Sequence, residues 1–186
     1  MKKSLIFIGI AILIILVIIF YFFLFRPQQK KRQETEQMIK NIKEGDNILD
    51  IGSHIGTFAV PFARFNKGKG KVFTFEANPA NFSLLKRNIS ENNFDDVILP
   101  TLGIVSDQSQ GFSMSQLQSE NTGSYYFLPS SDRSEVKEDV IHIDSWHTNH
   151  ASGSNISFIK IDVEGAEVSV LHSCRELIGR DKPILY

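Results

Sequence analysis

Three short runs in this chain carry side chains spaced to do chemistry. The first, Asp50-Ile51-Gly52-Ser53-His54-Ile55-Gly56, sets an acid and two glycines at the exit of an apolar stretch, a D-x-G-x-x-x-G pattern. Glycines there let the backbone turn tightly and approach a ligand, while the Asp50 carboxylate would repel a pyrophosphate and attract a cation. A dinucleotide turn would read G-x-G-x-x-G, and His54 stands where its middle glycine belongs. The second run, Lys71-Val72-Phe73-Thr74-Phe75-Glu76, ends in an acid 24 positions after Gly52. An acid at about that distance, on the next strand tip, accepts paired hydrogen bonds from ribose hydroxyls. The third is Ile159-Lys160-Ile161-Asp162-Val163-Glu164-Gly165-Ala166-Glu167. Lys160 and Asp162 are costly in an apolar strand unless they reach its open edge or find partners. Asp162 falls at the strand tip, where a cofactor's reactive end would lie, and Glu164 and Glu167 open the helix that follows. Taken together, an acidic glycine turn and a ribose-type acid suit a nucleoside with ammonium and sulfonium centres, which describes S-adenosylmethionine, better than they suit NAD.

These runs need a scaffold that brings strand ends together. Asp46–Ile51 reads as a buried strand, and Gly56–Phe65 as a helix with Phe58, Phe62 and Phe65 on one face. Strand Val72–Phe75 follows, then a helix after Asn78-Pro79 with Phe82, Leu85 and Ile89 on one face, then strand Val97–Val105. This βαβαβ order implies a parallel sheet with right-handed crossovers. Residues 106–139 break the rhythm with polar sequence, and the expectation there is an inserted hairpin or lid turning near Asn121-Thr122-Gly123. Beyond it, Val140–Ile143 is extended and Asp144 caps a helical turn through Trp146. A strand at Ile156–Ile161, a helix over Glu164–Ile178 and the start of a strand at Pro183–Tyr186 complete the pattern.

Composition sorts the remaining possibilities. Residues 1–43 carry eight basic and two acidic side chains against 12 and 19 in residues 44–186, so the larger part is acidic and no nucleic-acid partner is expected. One cysteine, Cys174, excludes an intrachain disulfide, and reads as a small buried apolar residue. No metal is required, since His142, His147 and His150 lack the spacing of a ligand set. Residues 5–25, LIFIGIAILIILVIIFYFFLF, hold no charge over 21 positions and as a helix would span about 31 Å, the thickness of a bilayer's hydrocarbon core. They are expected to anchor the chain in membrane lipid as a single-pass helix. Residues 26–43 then form a basic juxtamembrane stalk and residues 44–186 the folded domain. The basic residues after Phe25 outnumber those before Leu5, which favours a cytosolic domain.

Asp50 to Gly56, Phe75-Glu76-Ala77-Asn78-Pro79, Asn88, Ile143-Asp144 and the Ile159 to Glu167 run together resemble the FkbM family of S-adenosylmethionine-dependent methyltransferases over about residues 46–186. That resemblance implies an α/β, Rossmann-like class I methyltransferase sheet, mostly parallel, whose last strands are lacking here. It also implies O-methylation of a hydroxyl on a sugar, glycolipid or secondary metabolite. Mapped residue by residue, it assigns cofactor binding to Asp50, Gly52, Ser53, Gly56 and Glu76, and catalysis to Asp162 and Glu164. The membrane anchor favours a glycolipid or polysaccharide precursor as acceptor. Two further expectations come from the short sheet: a homodimer through its open edge, and, as an alternative to catalysis, an inactive membrane-tethered cofactor-binding scaffold.

Overall fold

A computed structural model describes residues 13, 15–18, 20–21, 36, 38–107, 112–116, 125–129, 139–163 and 165–186. The chain divides into two units, residues 1–41 and 42–186. Most of the expected anchor, residues 5–25, lies outside the described residues, among which no helix is long and apolar enough to cross a membrane.

In the larger unit the elements run β1 (Asn47–Ile51), α1 (Ala59–Phe65), β2 (Val72–Glu76), α2 (Pro79–Glu91), β3 (Ile98–Leu102), β4 (Ile104–Val105), β5 (Phe112–Gln116), β6 (Tyr125–Pro129), β7 (Val140–Ile141), α3 (Ile143–His150), β8 (Ile156–Ile161), α4 (Glu167–Ser173), α5 (Arg175–Asp181) and β9 (Ile184–Leu185). Five strands form one parallel sheet in the order β3-β2-β1-β8-β9. The order reverses beside β1, and open α/β sheets bind ligands at the carboxyl ends of the strands flanking such a reversal.

Side chains alternate across each strand, so the sheet has two differently furnished faces. Leu49, Ile51, Phe73, Phe75 and Ile159 join Ile143 of α3, Val170 of α4, Leu177 of α5 and Cys174 between the last two in one buried cluster. Trp146 closes it, edge-on to Phe73 and Phe75 at 5.3 and 4.9 Å between ring centroids. Ile48, Val72 and Phe158 point the other way, where α1 sets Phe62 edge-on to Phe158 at 5.7 Å. Each such fully buried aromatic contributes about 1.5–3 kcal/mol relative to exposure. Thr74, Asp50 and Lys160 lie on this second face, side by side in register.

The α/β class and the parallel sheet stand as the sequence implies, with four local differences. Phe65 is exposed, and α1 buries Ala59, Phe62 and Ala63 instead. The strand expected at Val97–Val105 breaks at Gly103, where a Cβ would lie 2.6 Å from Ile141 Cδ1 and 2.7 Å from Asp139 O. Past that break β4 leaves the main sheet and pairs in parallel with β7. Asp144 does not cap its own helix, which begins after His142 and continues to His150, beyond Trp146. Its carboxylate accepts from Glu176 N and Leu177 N at 3.0 and 2.9 Å, and so caps α5. Finally, the helix expected over Glu164–Ile178 starts at Glu167 and divides at Cys174 into α4 and α5. Within residues 106–139, β5 and β6 pair antiparallel with Gln116 opposite Tyr125, while the expected turn at Asn121-Thr122-Gly123 lies outside the described residues.

Candidate functional site

The exit of β1 is shaped by three positive φ angles, at Gly52 (78°), His54 (52°) and Gly56 (91°). At Gly52 a Cβ would fall 2.0 Å from the backbone oxygen of Asp162, so only glycine lets the β8 exit lie against this turn. At Gly56 it would meet Leu85 Cδ1 at 2.9 Å, which fixes the approach of α2. The turn is held from three sides. Gly52 N and Ser53 N both donate to Phe75 O at 3.0 Å, Asp162 N donates to Ile51 O at 3.0 Å, and Asn88 Nδ2 of α2 donates to Ile55 O at 2.7 Å.

Glu76 stands at the tip of β2, 8% exposed. One of its oxygens accepts from His54 N at 2.8 Å and the other from Asn78 N at 2.9 Å, so the acid is locked over the glycine turn. An ionised carboxylate has about four acceptor positions, which leaves room for further donors such as hydroxyls. Behind it Asn78 caps α2 by accepting from Ala80 N and Asn81 N.

Lys160 occupies the middle of the site. Its ammonium lies 3.3 Å from Asp50 Oδ1, 3.3 Å from Asp162 Oδ2 and 4.7 Å from the centroid of the Phe58 ring. Asp50 and Lys160 are buried, whereas the Asp162 side chain is 67% exposed at the strand tip. Burial pushes the Asp50 carboxyl above its usual range, against the pull of Lys160, and the charges of Asp162 and Glu76 push it the same way as burial. Among the described residues, Asp50 Oδ2, Thr74 Oγ1 and His54 Nε2 are buried polar atoms without a hydrogen-bond partner.

The predicted residues therefore take different places. Gly52, Gly56, Glu76 and Asp162 converge at one edge of the sheet. Asp50, expected beside a ligand, is fully buried and faces Lys160, and Ser53 is 3% exposed with its hydroxyl 2.9 Å from Asp50 O and 3.0 Å from Phe75 O. Glu164 lies outside the described residues. Lys160 was legible only as a charge in need of partners, and the partner across the register could not be read from spacing. His147 is buried with Nε2 2.8 Å from Ser154 O, a structural histidine.

Comparison with known proteins decides the family. The FkbM methyltransferase domain matches residues 50–186, nearly three quarters of the chain. This chain belongs to that family. FkbM methyltransferases depend on S-adenosylmethionine, and the fold agrees with two solved structures. A methyltransferase FkbM from Methylobacillus flagellatus KT aligns at TM-score 0.52 and 22% identity over 77% of this chain and 32% of that one. An O-methyltransferase from Bacillus cereus, solved with S-adenosylhomocysteine, aligns at TM-score 0.50 and 17% identity over 78% of this chain and 51% of that one. The catalytic subunit TRM61 of tRNA (adenine(58)-N(1))-methyltransferase from Candida albicans is 28% identical over 90 residues, 48% of this chain and 26% of the relative. This FkbM chain thus spans about a quarter of that relative and about a third of the solved FkbM protein. A preprotein translocase subunit family also matches residues 10–60.

The residues present fit the family's cofactor. Gly52 and Gly56 let the β8 exit and α2 close on the turn, Glu76 keeps acceptor positions beside it, and the exposed Asp162 carboxylate favours a cation.

Proposed function

We propose that this chain transfers a methyl group from S-adenosylmethionine to a hydroxyl of a sugar, glycolipid or polysaccharide precursor at a membrane face. The observation that carries the reading is the convergence of the Gly52–Gly56 turn, Glu76 and Asp162 at the carboxyl ends of β1, β2 and β8. Glu76 would accept from ribose hydroxyls, and the backbone between Gly52 and Gly56 would line the methionine portion. Asp50 and Ser53, both buried, serve by shaping the turn and its charge rather than by touching the ligand.

Bound there, the cofactor supplies a methyl group on a sulfonium sulfur, a good leaving group. The chain's part is to align an acceptor hydroxyl in line with that carbon and to remove its proton as the oxygen–carbon bond forms and the carbon–sulfur bond breaks. Asp162, at the strand tip and held by Lys160, is the group to take that proton, with Glu164 assisting. Selectivity for the acceptor belongs to residues 106–139, an insertion that starts at the end of β4. Residues 5–25 would hold the site beside lipid and so raise the local concentration of a lipid-linked acceptor.

Calorimetry on the full chain in mild detergent tests the cofactor assignment. S-adenosylmethionine should bind, and Glu76→Ala should weaken binding by about 1–3 kcal/mol, the usual loss for hydrogen bonds to a charged group. Tighter binding of NADH would overturn it. Asp162→Asn should keep cofactor binding and lose turnover with a glycolipid-containing extract of the source cells, and an undiminished rate would remove Asp162 from the mechanism.

A further inference from the structure

Lys160 sits deep in β8, in register with Asp50, its side chain 4% exposed. A buried ammonium is costly unless it is paired, and this one is shared. It reaches a buried carboxylate, Asp50, and an exposed one, Asp162, at the same 3.3 Å, and rests on the face of Phe58. Glu76 adds a third carboxylate at the tip of β2, the strand beside β1. Two acids thus share one fixed cation with a third on the next strand tip, and among the described residues Asp50 Oδ2 has no hydrogen-bond partner to offset its charge further.

We propose that Lys160 is a specificity-determining residue, the fixed counter-ion whose charge sets how strongly this cradle prefers a cationic sulfonium ligand over the neutral thioether left after methyl transfer. The inference rests on the reading of the site as an S-adenosylmethionine cradle. Its physical basis is that the two ligands differ by one unit of charge, so their affinity ratio reports the field of the fixed groups. A cradle of three uncompensated acids would hold the sulfonium too well. Positive charge disperses as the methyl group moves, so acids that stabilise the ground state more than the transition state raise the barrier. Lys160 tempers that field while remaining out of contact with solvent, where screening would weaken it.

The experiment measures the affinities of S-adenosylmethionine and S-adenosylhomocysteine by calorimetry, using the full chain in mild detergent. A unit charge roughly 10 Å from the ligand, at an effective dielectric of about 20, changes a charged ligand's affinity by about tenfold. Lys160→Met should therefore raise the sulfonium-to-thioether ratio about tenfold, and Asp162→Asn should lower it. Because Lys160→Met strands a buried carboxylate and could unfold the protein, a second comparison stands beside it. Asp50→Asn and Asp50→Asn/Lys160→Met differ by the Lys160 charge alone, and the ratio should again be about tenfold higher in the double variant. If Lys160 serves packing only, both affinities change together and the ratio stays fixed, which overturns the inference while leaving the cofactor reading intact. A wild-type chain that binds neither ligand overturns both.

Discussion

At the residue scale, the site depends on positions where nothing but the present side chain, or its absence, will serve. A methyl group at Gly52 would sit 2.0 Å from the backbone oxygen of Asp162. The φ of 78° there is itself unfavourable for any other residue. Gly52→Ala should separate the β1 turn from the β8 exit and lower S-adenosylmethionine affinity at least tenfold while far-UV circular dichroism stays near wild type. An unchanged dissociation constant would show that the turn can move without consequence. Cys174 offers the opposite case, a reactive group made inert. Burial first, and the nearby Asp144 charge second, push its thiol up to about 12, and its Sγ donates to Val170 O at 3.1 Å. A thiol reagent at pH 8 should label it only after denaturant is added, and rapid labelling of the native chain would contradict its burial.

At the scale of elements, the last helix is held at both ends by carboxylate bonds that span long stretches of sequence. Asp144 accepts the first free N–H groups of α5, and Asp181 at its other end accepts from Ile156 N at 2.8 Å, tying the helix to the start of β8. Asp144→Ala should cost about 0.5–2 kcal/mol in chemical denaturation, the range for a lost helix cap. For Asp181 the paired Arg180, against the opposing effect of burial, holds the carboxyl below its usual range. Its native value is thus lower than its unfolded one, so its stabilisation is complete above the ordinary carboxylate pKa of about 4 and fades as pH falls through the lowered native value. The stability gap between wild type and Asp181→Ala, about 1–3 kcal/mol near neutrality, should therefore close in acid, and a constant gap down to pH 2 would assign it to packing. These long ties explain what the sequence does and does not disclose. The order of strands and helices follows from local periodicity, and the glycine turn and Glu76 from their spacing. The helix break at Cys174 does not, because it serves an Asp144 cap arriving from some thirty residues upstream. The strand break at Gly103 depends on Ile141 and Asp139, partners met only once residues 106–139 have returned. The pairing of Lys160 with Asp50 needs the register of β1 against β8, 110 positions apart.

For the molecule as a whole, the question is where the site is held. The chain joins an apolar N-terminal run of 21 residues to an acidic methyltransferase domain. If that run is a membrane anchor, the full chain expressed in bacteria should remain in the pellet after an alkaline carbonate wash, and a variant lacking residues 1–26 should not. Protease added to intact spheroplasts should leave the domain uncut. Full chain recovered in the wash would rule out a spanning anchor, and cleavage would place the domain outside.

The short β4–β7 pair bears on how such a protein could be re-engineered. Ile104 N bonds Asp139 O and Ser106 N bonds Ile141 O, so the chain that leaves after Val105 is fastened again at Val140 by a two-rung clasp beside the main sheet. A segment with both ends clasped in this way behaves as a cassette. Lengthening it costs about 0.6 kcal/mol in loop closure for each doubling. Exchanging residues 108–138 for the corresponding segment of another FkbM protein should therefore transplant acceptor preference and leave the cofactor cradle where it stands.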